Sequence, residues 1–338
     1  MKLLPLFAII TAVFKRNHLA NAFSCSSLAF RSSRGSGSNG ISCTLHAANR
    51  VKLTSLNLSS DTSEATPQSK IEGRKNRVVS GYKAMTTAYL TAGLVSAKSS
   101  GLSTNLARTL GGYIALPAGL SYILISAAAN NRLGSETYKR LNLAMLEYSA
   151  LGSAVVLLSG GRNKILALAF ALSIINCIKG YSYGVLGWDK KKNVSLVGDI
   201  VQGTRETIKG FLTMPNNSKA IGYFVATAMI ASLKIQKMIE VVSFIQASGF
   251  VKELAMPLAR FNRLALLTLC LYTLKDAADR DRLGGTTFIE LNGLCAISLG
   301  IHAAFFTNGG LMTPLGAAGV FFAMFCGYNG MNEKIKRA

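Results

Sequence analysis

The sequence predicts an all-α, polytopic membrane helix bundle, with about eight transmembrane helices in two parallel four-helix repeats. Half of the 338 residues are apolar and 15% are charged, whereas a soluble domain averages about 25% charged residues. The second observation is a stretch that occurs twice. N-R-L-G-S-E-T-Y-K-R-L-N at 131–142 returns as D-R-L-G-G-T-T-F-I-E-L-N at 281–292. Low charge predicts the membrane class, and the doubled stretch predicts an internal duplication.

The charge balance is strongly basic, with 37 Lys and Arg against 15 Asp and Glu and a net charge of +22. Such a balance is one sign of a nucleic-acid-binding protein. Here, however, the basic residues are scattered between apolar segments, which is typical of the positive loops of membrane proteins. We therefore expect a lipid bilayer as partner, and no nucleic acid.

The first element, residues 1–22, is predicted to be a signal peptide. An apolar run follows Lys2, and Ala20-Asn21-Ala22 has the pattern of a cleavage site. A basic K-R-N-H interrupts the run before that site.

The second element, residues 23–77, is predicted to be a transit peptide or a disordered segment. From Phe23 to Ser60 it is rich in Ser, contains Arg and Lys, and has no acidic residue, which is typical of organelle transit peptides. Together with the signal peptide, and with Phe23 directly after the cleavage site, it resembles the bipartite plastid presequence of diatoms and related algae. That resemblance implies a plastid membrane, envelope or thylakoid. A mitochondrial presequence and a secretory protein with a Ser-rich linker are the alternatives.

The membrane part is a succession of apolar stretches that approach the ~20 residues needed to cross a bilayer. Some of these stretches are weak candidates for transmembrane helices, because the first is short and two others carry basic residues. Hydropathy alone could therefore indicate only six transmembrane helices. The repeat favours eight. The candidates are Tyr82–Ala97, Leu110–Ala129, Leu141–Ser159, Ile165–Gly187, Ala220–Ile239, Leu258–Lys275, Thr287–Phe306 and Leu311–Tyr328.

Further matches around the doubled stretch keep the same order in both halves. Gly81-Tyr82 matches Gly222-Tyr223, and Tyr122 matches Tyr272. They predict two units, 78–187 and 219–330. Because each unit has an even number of helices, both enter the membrane from the same side, which makes a parallel repeat.

Between the units, residues 188–218 are predicted to form an amphipathic linker helix in the membrane interface, with Trp188 as an anchor. A solvated linker helix is the alternative, since three glycines weaken the helix. Residues 331–338 are predicted to be a basic tail. Basic residues are more frequent beside the termini and the linker, which predicts that these face the stroma.

The last two apolar segments carry a family resemblance. G-G-T-T-F-I-E-L-N-G-L-C-A-I-S-L-G, followed by L-M-T-P-L-G-A-A-G-V-F-F-A-M, is similar to the DoxX-like four-helix membrane proteins. Glu290 stands where that family has its glutamate, and Glu147 in M-L-E-Y-S-A-L-G takes a similar place if the repeat alignment slips by seven residues. The resemblance implies a link to membrane redox chemistry with quinones, without a shared set of catalytic residues.

The predicted intramembrane polar site consists of Glu147, Glu290, Asn292 and His302. An ionisable group in an apolar span is costly, so it faces the bundle interior or water. The functional interpretation is contact with a proton, an ion or a quinone headgroup.

The structural interpretation pairs each glutamate with a nearby base. Glu147 then pairs with Arg140 or Lys139, and Glu290 with Arg282 or Lys275, by reaching toward the positive side. His302 is then a hydrogen-bonded core residue.

Asp276 and Asp279 in D-A-A-D-R-D are a secondary candidate site, because this stretch resembles the magnesium-diphosphate loops of membrane prenyltransferases. Magnesium needs convergent carboxylates, and the interleaved Arg280 and Arg282 favour a self-neutralised helix end instead. No catalytic residue, metal or cofactor is predicted. The sequence therefore favours a non-enzymatic small-solute carrier or an accessory or scaffold subunit bound to a membrane-protein partner. A DoxX-like quinone-linked redox component is the alternative.

Overall fold

The computed structural model describes residues 67–99, 115–160, 164–188, 195–248, 255–305 and 313–337. In these ranges the chain forms nine helices and no strand, so the predicted all-α class is confirmed. The signal peptide and most of the transit peptide lie outside them. The helices are α1 (Pro67–Ser99), α2 (Ala115–Ala129), α3 (Glu136–Leu158), α4 (Lys164–Leu186), α5 (Leu196–Leu212), α6 (Ser218–Ser248), α7 (Ala255–Asp279), α8 (Thr286–Phe305) and α9 (Pro314–Ile335).

Among the helices that the structure describes, three are long and apolar enough to cross a membrane: α3, α4 and the Thr286–Ala304 part of α8. Helix α2 is apolar but shorter. Bulky apolar side chains point outward, as Phe321 and Met324 of α9 do, at 63% and 69% exposure. Polar side chains such as Asn142, Asn292 and Ser173 are buried instead. This apolar exterior over a partly polar interior is compatible with a protein that sits in lipid.

Two predicted boundaries need correction, because helices continue through them. Helix α1 begins at Pro67, inside the predicted transit or disordered segment. A proline is favoured in the first helical turn, and Arg74 ties the early part of α1 to the residues after α4 by donating to the Trp188 carbonyl at 2.8 Å.

At the other end of the chain, α9 continues to Ile335, through most of the predicted basic tail. Lys219, just inside α6, reaches Glu333 at 2.7 Å and ties this last turn to the bundle. The hydrogen bond from Lys219 also lowers the pKa of Glu333, which lies beyond the predicted span.

The doubled stretch forms the same turn twice. Asn131 and Asp281 adopt left-handed backbone conformations, with φ of 57° and 52°, which Asn and Asp tolerate better than other side chains. In each turn the backbone N–H of the next residue, an arginine, donates to a carbonyl of the preceding helix at 2.8 Å. Arg132 donates to Ala127, and Arg282 donates to Ala277. These turns connect α2 to α3 and α7 to α8.

The helices pack in two groups that meet along two seams. In the first group α1 contacts α2 and α4, and α3 contacts α4; in the second, α6 contacts α7 and α8 contacts α9. Between the groups, α3 packs on α7, and α2 packs on α8. The hydroxyls of Tyr138 and Thr287, near the starts of α3 and α8, lie 2.7 Å apart. Both starts therefore lie at one end of the bundle, which we call the turn end.

Candidate functional site

Glu290 lies in the second turn of α8, on the seam between α8 and α2. It is half-buried, and the phenol of Tyr122 on α2 lies within its electrostatic range. In the part of the chain that the structure describes, no basic side chain lies within 4.0 Å of its carboxylate. The expected pairing with Lys275 or Arg282 is therefore wrong.

Glu147 lies in the fourth turn of α3 and is directed to the periphery. Its side chain is 42% exposed and stands 3.8 Å from the Lys234 ammonium of α6. The expected partners are engaged elsewhere, Lys139 with Glu136 and Asp199 and Arg140 with Asp276. Glu147 and Glu290 also differ in height along their helices, so they do not occupy corresponding positions.

Asn292 is a core residue that accepts a hydrogen bond from the buried Tyr223 hydroxyl of α6. The first half has a matching pair, in which Asn142 accepts from Tyr82 of α1. A buried phenol needs a partner, so each pair holds two helices together. The Asn292 amide nitrogen has no hydrogen-bond partner among the described residues.

His302 lies in the second half of α8 and is half-buried. It is within electrostatic range of Arg263 on α7, far along the helix from Glu290. The predicted set Glu147, Glu290, Asn292 and His302 is therefore not brought together at one place.

Asp276 is the centre of an ionic cluster on the seam between α3 and α7. Its two oxygens accept from Arg140 at 2.8 Å and from Arg280 at 3.0 Å. The Arg140 guanidinium also stands over the ring of Tyr272, 5.5 Å from its centroid. Both carboxylate oxygens of Asp276 thus accept from guanidinium groups. This residue joins α3 to α7 and is not available to bind a metal ion.

Asp279 belongs to a second cluster, which attaches α5 to the end of α7. It pairs at 2.7 Å with Lys275, whose side chain is 5% exposed, and accepts from the Asn216 N–H. The Lys275 ammonium donates to the carbonyls of Gly210 and Thr213, at the end of α5. A cation is favourable at the carboxyl end of a helix, where carbonyl groups lack partners. The secondary candidate pair is therefore divided between two structural clusters.

The other end of α5 is held through Asp199, in its first turn. Asp199 binds the Lys139 ammonium of α3 at 3.0 Å and accepts from the Tyr181 hydroxyl of α4. An acidic residue in the first turn also complements the helix dipole. The linker helix is thus anchored to the first half at its start and to the second half at its end.

Between α3, α4 and α7 lies a cavity of about 10 Å³, lined among others by Tyr148, Phe170 and Asn262, which is room for one water molecule. Within the described residues no group of three His, Cys, Asp or Glu side chains can hold a metal ion. Four cysteines, Cys177, Cys270, Cys295 and Cys326, are buried free thiols.

Sequence reasoning gave Arg140 and Lys275 other partners and did not single out Asp199, although these three residues tie the parts of the bundle together. One signal for Arg140 was present. Of the two similar stretches, 131–142 has Arg140 where 281–292 has Glu290, so a base and an acid stand at the same offset.

No family model, no curated protein and no solved structure matched this chain.

Proposed function

We propose that this chain is an integral membrane scaffold or accessory subunit of a plastid membrane, built from two parallel four-helix units with eight spans. The turn end, where the linker helix lies, faces the stroma. The chain binds a membrane-protein partner and turns over no substrate.

The duplication is supported by local geometry that recurs in both halves. Each turn has one residue in the left-handed conformation, followed by an arginine whose backbone N–H donates to the preceding helix. The buried Tyr–Asn pairs join corresponding helices, α1 to α3 and α6 to α8. The contact between Tyr138 and Thr287 places both turns at one end, which supports parallel units over inverted ones.

The count of eight spans is supported by helix length. Helices α1, α6 and α7 have 33, 31 and 25 residues, and a bilayer core needs about 20. Their charged residues leave them less apolar than α3, α4 and α8, but several of these charges lie near helix ends, from which a long side chain can reach the interface.

The plastid address is supported by the sequence before residue 61, and Phe23 is its sharpest feature. Residues 1–60 fused to a fluorescent protein are expected to direct it to the plastid of a diatom, and Phe23→Ala is expected to leave it outside. Phe30→Ala, a phenylalanine within the transit segment, is the matched control. Unchanged import of the Phe23→Ala fusion, or delivery to mitochondria, would contradict the proposed address.

The role rests on one observation, that four charged residues, on the seam between α3 and α7 and at the end of α7, are engaged with one another. Arg140, Asp276, Lys275 and Asp279 all make structural ion pairs, and the cavity between α3, α4 and α7 holds one water at most. A solute carrier needs an accessible polar site, and these groups do not provide one.

A small-solute carrier is the second candidate, and Glu290 favours it. This carboxylate is half-buried beside Tyr122 and has no cation within ion-pairing distance among the described residues. A charged group in an apolar span without a partner is expected to be functional. Glu290 then binds a proton or a cation during transport.

Glu290→Gln separates the two roles, because it keeps the shape of the side chain and removes its charge. For a scaffold, cells that carry only this variant are expected to grow normally, and the tagged protein is expected to comigrate with a larger membrane assembly in mild detergent. For a carrier, the variant accumulates normally but growth fails. Glu147→Gln is the control, since Glu147 lies at the exposed periphery. A wild-type chain that migrates alone, at its own mass, would exclude the scaffold role.

A further inference from the structure

Helix α5 exposes an apolar stripe that its own bundle does not cover. Val197, Val201, Ile208 and Leu212 follow one another at helical spacing, and their exposed fractions lie between 58% and 76%. Met214, just after the helix, extends the stripe with 78% exposure. No residue of α5 is buried. A stripe of this length in water is unusual for a monomeric soluble surface, so it needs an occupant.

The stripe does not face the bundle, because a different side of α5 is attached there. Asp199 binds Lys139 and Tyr181, and Phe211 packs against the rings of Phe224 and Tyr272. With about 100° of rotation per residue, Phe211 lies beside the stripe and Asp199 lies nearly opposite to it. The anchors hold the helix at the turn end, across the ends of α4 and α7.

The opposite flank of the stripe is basic. Arg205 and Lys209, one turn apart, are both exposed at its rim, and neither is within ion-pairing distance of an acidic group in the described ranges. Gln202 and Glu206 hydrogen-bond to each other farther round the helix. Helix α5 thus has three sides in order: bundle, apolar stripe, and polar face with a basic rim.

We infer that the stripe of α5 docks onto an anionic bilayer surface, with Arg205 and Lys209 against lipid phosphates. An apolar stripe with Lys and Arg beside it is the pattern of helices that lie in the membrane interface, and basic side chains there are attracted by anionic headgroups. The inference rests on the proposed insertion of the bundle in a membrane. Because α5 is anchored to both halves, the docked helix connects the surface lipid to each of them.

The test places one fluorescent side chain on the stripe of the full chain. Trp188, the sole tryptophan, is replaced with Phe, which keeps a ring against Tyr183. Val201→Trp then reports the stripe, Gln202→Trp reports the polar face, and Phe321→Trp reports an outward position of α9. Each variant is reconstituted in vesicles of brominated phosphatidylcholine, with and without phosphatidylglycerol.

Bromine quenches a tryptophan that lies in lipid. Val201→Trp is expected to lose most of its emission in vesicles with phosphatidylglycerol, and clearly less in neutral ones, while Gln202→Trp keeps its emission in both. Arg205→Gln with Lys209→Gln is expected to abolish the difference between the two lipids.

Three outcomes would overturn the inference. Val201→Trp emission as high as that of Gln202→Trp would mean a solvated helix or another occupant. Equal quenching in both lipids, or no effect of the double glutamine variant, would remove the anionic preference. The Phe321→Trp variant tests the membrane proposal separately. If its emission is quenched in both kinds of vesicle, the bundle is inserted in the bilayer. If its emission is not quenched, the membrane proposal itself fails.

Discussion

Replacing Gly184 with alanine is expected to destabilise the protein by about 2–3 kcal/mol, at the upper side of the usual range for overpacking. A methyl group at this position of α4 would stand 2.5 Å from the Leu133 carbonyl oxygen. That oxygen belongs to the backbone of the turn before α3, so it cannot rotate away as a side-chain end would. Either the turn or the end of α4 must move, and the close approach of these two backbones is lost.

Gly203→Ala in α5 is the matched control, because a methyl group there meets nothing within 4 Å. Alanine is a better helix former than glycine by about 0.5–1 kcal/mol, so this variant is expected to be slightly more stable than the wild type. Both variants are compared by the temperature at which detergent-solubilised protein leaves its monodisperse gel-filtration peak. A Gly184→Ala protein as stable as the wild type would show that α4 does not approach the turn so closely.

Replacing Asp276 with asparagine is expected to weaken the seam between α3 and α7 by about 2–3 kcal/mol, in the range for charged hydrogen bonds and below that for a fully buried pair. The side chains of Arg140 and Asp276 are 12% and 21% exposed, so their charges are only partly hydrated. Without the carboxylate, Arg140 and Arg280 face each other with no acidic group between them. The two halves are then expected to separate at lower temperature, which the same gel-filtration assay measures.

Asp281→Asn is the control for this second variant. Asp281 occupies the left-handed turn position that asparagine itself occupies in the first half, at Asn131, so its replacement is expected to be neutral. Replacing both Arg140 and Asp276 with leucine is expected to recover part of the loss, since an apolar pair leaves no uncompensated charge. If Asp276→Asn is as stable as Asp281→Asn, the ion pair does not hold the seam.

These two positions illustrate different kinds of attachment in one bundle. At Gly184 two backbones approach because no side chain intervenes, whereas at Asp276 two helices from different halves are joined by charge. If the proposed duplication is right, the ion pair has no counterpart on the other seam. There Glu290 and Tyr122 face each other without an arginine among the described residues, which is why Glu290 is the residue to examine for a transport role.

The sequence alone determined the all-α class, the end of α2 at Ala129 and, to within one residue, the start of α8. It placed the start of α3 at Leu141 and the end of α7 at Lys275, whereas these lie at Glu136 and Asp279. Helix class and helix ends are local properties. Runs of apolar residues favour helices that keep their own hydrogen bonds satisfied in an apolar medium, and Asn or Asp in the left-handed position ends α2 and α7. The spacing of apolar residues also predicted a linker helix, which the structure has at Leu196–Leu212.

The tertiary structure alone decided which charged groups meet. Sequence reasoning paired Glu147 and Glu290 with bases that are near in the chain, but Glu147 meets Lys234 on α6, and Lys275 is taken by Asp279 and the end of α5. A charge finds its partner among the helices packed beside it, and residues far apart in the chain become neighbours only when the seams form. For the same reason Arg140, one residue of a doubled stretch, became the link between the halves only when α3 packed on α7 and brought Asp276 within 2.8 Å.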